Sequence, residues 1–140
     1  MMAQSSGSDS MINVLRDTIV SMVRRDGPDL SARQLGVFLT CYQQEGPHTV
    51  RGLAADLKVS KPAITRALDR LEDLKLVKRV RDHMDGRSVL IRRTIEGKYY
   101  LRDLVAIVNE VSAPQQDREA EAPVRKARVR SMDARMRRAG

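Results

Sequence analysis

The chain has 140 residues, a formal net charge of +8 and only 3% aromatic residues. That length admits one domain, with a core built from Leu, Val, Ile, Ala and Met. No apolar run approaches the ~20 residues that span a bilayer, and the first ten residues lack the basic and apolar regions of a signal peptide. The lone cysteine, Cys41, excludes an internal disulfide framework and fits a reducing cytoplasm.

The charge is unevenly placed. Residues 48–94 carry +6 and residues 123–140 carry another +6, while the remaining stretches are near neutral or weakly acidic. Two basic patches imply a defined electrostatic footprint on a polyanion rather than solubility alone.

Residues 1–8 are small and polar, and the composition predicts disorder there. From about Asp9 or Ser10, Ile12, Leu15, Ile19, Met22 and Val23 recur at helical spacing until Gly27-Pro28. Ser31 is placed to cap a second helix with Leu35, Phe38, Leu39 and Tyr42 on its apolar side, ending at Glu45-Gly46-Pro47. Thr49 is placed to cap a short third helix bearing Val50, Leu53, Ala54 and Leu57.

Lys58-Val59 then makes a turn, and Ser60 is a good N-cap for a fourth helix over about 61–74. Pro62 falls in its first turn, where a missing N–H costs little. Ile64, Leu68 and Leu71, with Ala67 beside them, form the stripe expected to be buried. Lys61, Ala63, Thr65, Arg66, Asp69 and Arg70 are read as the opposite face.

Two β-prone runs follow, Val77–Asp82 and Ser88–Thr94, joined by His83-Met84-Asp85-Gly86-Arg87, where Gly86 supplies a permissive hairpin tip. Thr94-Ile95-Glu96-Gly97 opens a last helix carrying Leu101, Leu104, Val105, Val108 and Val111, and Pro114 ends it. Beyond it the chain is Arg-rich, with only Val129, Met132 and Met136 in a weak helical pattern. The expected organisation is a disordered 1–8, a domain over 9–111 and a basic, flexible tail over 112–140.

Helix, tight turn, helix and basic ribbon, in that order, would set one helix in a major groove of duplex DNA with a cationic ribbon beside it. These residues resemble the MarR family of winged helix-turn-helix regulators. The resemblance is carried by Leu53-Ala54, Leu57, Val59-Ser60, Ile64-Thr65-Arg66, Leu68, Leu71-Glu72, Leu76-Val77, Arg79, Asp85, Arg87, Thr94 and Gly97. Arg33-Gln34-Leu35-Gly36-Val37-Phe38 and Gly46-Pro47-His48-Thr49 are similar to a branch of small MarR-like regulators from alphaproteobacteria.

The resemblance implies a mostly α fold with a small β-hairpin wing, and N- and C-terminal helices that join two copies into a homodimer. It implies a cytoplasmic, nucleoid-associated transcriptional regulator that binds double-stranded DNA sequence-specifically. Two features depart from the family. Lys75 stands where members usually have Gly, and a left-handed backbone there would cost roughly 1 kcal/mol. The long closing helix of the family is replaced by the polar, Arg-rich tail.

The candidate DNA-binding residues are Ser60, Lys61, Pro62, Ala63, Thr65, Arg66, Arg70, Arg79, Asp85 and Arg87. Lys61 and Arg66 are placed to reach base edges and Arg70 a phosphate, while Ser60, Pro62 and Ala63 are placed for backbone or thymine-methyl contacts. The family reading has Asp85 orienting Arg87 into a minor groove, with Arg79, Arg81, Arg92 and Arg93 supporting phosphate binding. The bland reading of the same charges is a solvated helix face and a decorated turn.

Cys41 lies among apolar neighbours and reads as a buried structural thiol. His48 and His83 are isolated from other ligand types, so no metal is expected. No catalytic set or phosphate loop stands out, so neither an enzyme nor a cofactor is expected. Many members of the resembled family bind small aromatic effectors, and no residue here identifies one. The rival functions are a winged-helix module that binds protein, and a nucleoid-type architectural protein with little sequence preference.

Overall fold

The computed structural model describes residues 2–113, and among the described residues capping residues and apolar spacing produce five helices and three strands. In chain order these are α1 (Met2–Arg24), α2 (Ala32–Gln43), β1 (His48–Thr49), α3 (Val50–Leu57), α4 (Lys61–Asp73), β2 (Val77–Arg81), β3 (Val89–Arg93) and α5 (Ile95–Ser112). The architecture is the winged helix-turn-helix expected from the sequence. The described residues form two units: residues 2–24 with residues 106–113, and Arg25–Val105. Pro114 and most of the predicted basic tail lie outside the described residues.

In the first unit, α1 begins at Met2 rather than near Asp9, so residues 2–8 belong to a helix where disorder was expected. No proline interrupts that stretch, and Gly7 is its only strong helix-disfavouring residue, so propagation from the periodic part extends to the start. Of the stripe that predicted the helix, Ile12, Leu15, Ile19 and Val23 are 48–62% exposed and Met22 is half-buried; Met11 beside them is 76% exposed.

In the second unit the predicted caps form. Ser31 and Gln34 make a reciprocal capping box at the start of α2, each side chain accepting the other residue's backbone N–H. Thr49 Oγ1 accepts from Gly52 N–H at 2.9 Å, and Ser60 Oγ accepts from Ala63 N–H at 3.2 Å. Lys58, closing α3, has φ 56° and provides the left-handed step of the turn into α4.

The end of α4 is a Schellman motif. Leu76 N–H donates to Leu71 O and Lys75 N–H to Glu72 O, each at 2.9 Å, while Leu71 and Leu76 are both buried. Lys75 sits at the left-handed position with φ 62°, so the strain foreseen for a residue with a β-carbon is present.

The core gathers Phe38, Cys41, Leu53, Ile64, Leu68, Leu71 and Val77, all nearly inaccessible. Phe38 stacks on Tyr42 with ring centres 4.4 Å apart and meets the edge of Tyr100 at 5.2 Å. The sheet order is β1-β3-β2, antiparallel throughout, with Val77 opposite Arg93 and Arg81 opposite Val89. The sequence predicts only the two-stranded ribbon. β1 adds His48 opposite Ile91 and Thr49 opposite Leu90, and two residues are too few to show alternation.

Candidate nucleic-acid interface

Helix α4 is two-faced because a residue advances 100° around the axis. Ala63, Ile64, Ala67, Leu68 and Leu71 are buried, whereas Lys61, Pro62, Thr65, Arg66, Asp69 and Arg70 are exposed. Ala63 was expected on the outer face, and this is a correction. It lies one turn before Ala67, so it packs inward with the stripe at 6% exposure. Only Ser60, Lys61, Pro62, Thr65, Arg66 and Arg70 of the candidates at this helix are exposed. Ser60 already uses its hydroxyl oxygen as the helix cap.

The wing tip is shaped by two carboxylates. Asp82 Oδ1 accepts from Met84 N–H at 2.9 Å, Asp85 Oδ1 accepts from Arg87 N–H at 3.1 Å, and Asp85 Oδ2 accepts from the Ser88 hydroxyl at 3.0 Å. Asp85 therefore holds the backbone that carries Arg87, through its N–H rather than its guanidinium. Arg87 and His83 are exposed, and Met84 between them is 96% exposed.

Arg79 and Arg93, expected to support phosphate binding, both engage other groups of the fold. The Arg79 guanidinium pairs with Asp69 at 2.8 Å and Glu72 at 3.2 Å, and Glu72 also accepts the Arg79 backbone N–H at 2.7 Å. The backbone bond, then the side-chain bond, holds the Glu72 carboxyl below its ordinary range, and the side-chain bond to Glu72 raises Arg79. Arg93 donates to the carbonyls of Cys41 at 2.9 Å and Gln44 at 3.1 Å, covering the C-terminal end of α2, with its guanidinium 5.7 Å from the centre of the Tyr42 ring.

Among the described residues, Lys61, Arg66, Arg70 and Arg87 have no acidic partner, and Arg81 and Arg92 on the ribbon are exposed as well. The surface thus offers uncompensated cations at the start and middle of α4 and at the wing tip. Sequence reasoning did not find the Asp69–Arg79–Glu72 cluster. Its one visible signal was the pair Glu72-Asp73 in a last helical turn, where carboxylates oppose the helix dipole.

Cys41 is 1% exposed, as the sequence predicts. Burial pushes its thiol up to about 11, with the positive charge of Arg93 acting weakly the other way. No helix among the described residues is long and apolar enough to cross a membrane.

Residues 30–89, from the approach to α2 through the wing tip, match the MarR family. The match covers the winged-helix segment, less than half of this chain. No curated protein sequence matches it. A point mutant of S. aureus MepR bound to an oligodeoxyribonucleotide is similar at 18% identity and TM-score 0.62, over 94% of this chain and 95% of that one. YusO from Bacillus subtilis gives 19% identity and TM-score 0.64, over 91% and 92%. A MarR transcriptional regulator from Methanosarcina mazei Go1 gives 24% and 0.52, over 75% and 80%. At these identities the solved structures bear on the fold of this chain alone.

Proposed function

We propose that this protein is a cytoplasmic transcriptional regulator that binds double-stranded DNA sequence-specifically as a homodimer. The observation that carries this reading is the two-faced α4. Its aliphatic side is locked in the core, while Lys61, Thr65, Arg66 and Arg70 project outward without acidic partners among the described residues. In this reading α4 lies in a major groove with Lys61 and Arg66 at base edges, and Arg70 meets a phosphate. Arg87 enters a flanking minor groove, on the turn that Asp85 braces. The MepR structure carries DNA on the same fold, which supports the reading.

The homodimer is supported by the aliphatic stripe of α1, where Met11, Ile12, Leu15, Ile19 and Val23 are exposed in a single copy. Half-sites would then lie about one helical turn, ~10 bp, apart.

The test is selection of bound fragments from sheared host genomic DNA, followed by sequencing and footprinting. A shared, two-fold-related motif with discrete protection is the expected result. Protection without a motif would instead indicate an architectural binder, and no retained DNA would indicate a protein-binding module.

A further inference from the structure

The last turn of α4 contravenes a local rule. Helix C-termini carry partial negative charge, yet Glu72 and Asp73 stand there. Glu72 is compensated from outside its own helix, by Arg79 in the middle of β2. Its two oxygens take the Arg79 backbone N–H at 2.7 Å and the guanidinium at 3.2 Å. Asp69, one turn earlier on α4, takes the same guanidinium nitrogen at 2.8 Å.

These contacts join the proposed reading helix to the strand that leads to the wing tip. Arg79 pairs in register with Ile91, a buried residue of β3, so the clamp closes at the rooted end of the ribbon. Farther out the ribbon has little lateral support. β1 reaches only Leu90 and Ile91, so among the described residues Arg81, Val89 and the tip have no third strand beside them. The direction in which the tip points relative to α4 is therefore set where Arg79 is held.

We infer that Glu72 is a positioning residue for DNA binding, acting through Arg79 to hold the wing at the angle where Arg87 and the α4 cations engage one duplex together. This rests on the DNA-binding reading above. Glu72 itself touches no DNA in this scheme. Without the clamp, the wing must lose orientational freedom on binding, and its contact contributes less.

The experiment is a double-mutant cycle on a duplex selected from a random-sequence pool by the wild-type protein. Glu72→Gln keeps an oxygen for the Arg79 backbone N–H, and a thermal melt checks that the fold persists. In the otherwise wild-type protein, Glu72→Gln is expected to weaken binding about tenfold; with Arg87→Ala already present, only about twofold. Hydroxyl-radical footprints of Glu72→Gln should lose protection at the flanking minor groove and keep it across the central major groove. Arg79→Gln should reproduce both results.

Equal fold-losses in the two backgrounds, or uniform loss of protection, would overturn the inference and leave the DNA-binding reading standing. A pool from which the wild-type protein enriches no duplex would sink that reading and this inference with it.

Discussion

The hydroxyl of Tyr42 occupies the space that a β-carbon on Gly97 would need. A side chain at that position would also meet the carbonyl of Leu76. The same hydroxyl donates to Leu76 O at 2.6 Å and accepts from Thr94 N–H at 2.9 Å, while Thr94 Oγ1 donates to Lys75 O and accepts from Gly97 N–H. One phenol thus ties α2, the end of α4 and the start of α5 together. Tyr42→Phe leaves a buried carbonyl without its partner and should cost about 1–3 kcal/mol. Gly97→Ala should cost a similar ~1–3 kcal/mol through overpacking. Because the two share one contact, the double variant should lose less than the sum in urea denaturation.

Lys75 lies in the left-handed region at the end of α4. Glycine adopts that conformation freely, although it adds entropy to the unfolded chain. Lys75→Gly should therefore stabilise the fold by about 0.5–1 kcal/mol and Lys75→Ala should not. Chemical denaturation of the two variants checks this.

Arg66 and Arg87 should separate in their effects. Arg66→Ala should weaken binding to a selected duplex more than to random DNA, with a loss of roughly 1–3 kcal/mol at its base. Arg87 is exposed on a turn braced through its backbone, so Arg87→Ala should lower affinity without moving the melting temperature. Titrations on specific and mixed duplexes, beside thermal melts, read both.

Cys41 titrates near 11 when folded, above the ordinary thiol value of 9.0. The unfolded thiol ionises first as pH rises, so this group's contribution to stability is complete below 9 and is lost between 9 and about 11. At pH 8 the native protein should resist iodoacetamide, and urea-unfolded protein should react readily. Rapid native labelling would instead reveal an accessible thiolate.

Removing residues 115–140 takes away a net charge of +4. If that charge meets phosphates, truncation should flatten the dependence of log affinity on log salt. Binding isotherms at several salt concentrations decide it.

The helices of this protein were legible because their signals are local. Ser31, Thr49 and Ser60 cap within three residues of themselves, and the Ile64, Ala67, Leu68, Leu71 spacing declares which side of α4 is buried. The hairpin at Gly86 was legible for the same reason, whereas the left-handed step at Lys75 was foreseen from the resembled family, whose members usually have Gly there. Ala63 was misplaced because a small residue at the edge of an apolar stripe suits either face, and only packing chooses.

Long-range partners could not be read. Arg79 and Arg93 look like any other ribbon arginines in sequence. Their engagement depends on carboxylates 7 and 10 positions earlier in one case, and on carbonyls 49 and 52 positions earlier in the other. Tertiary structure alone decides which cations are consumed inside the fold and which remain for a polyanion. A charge is available only when no opposite group lies within a few ångströms, and that distance is a property of the folded chain.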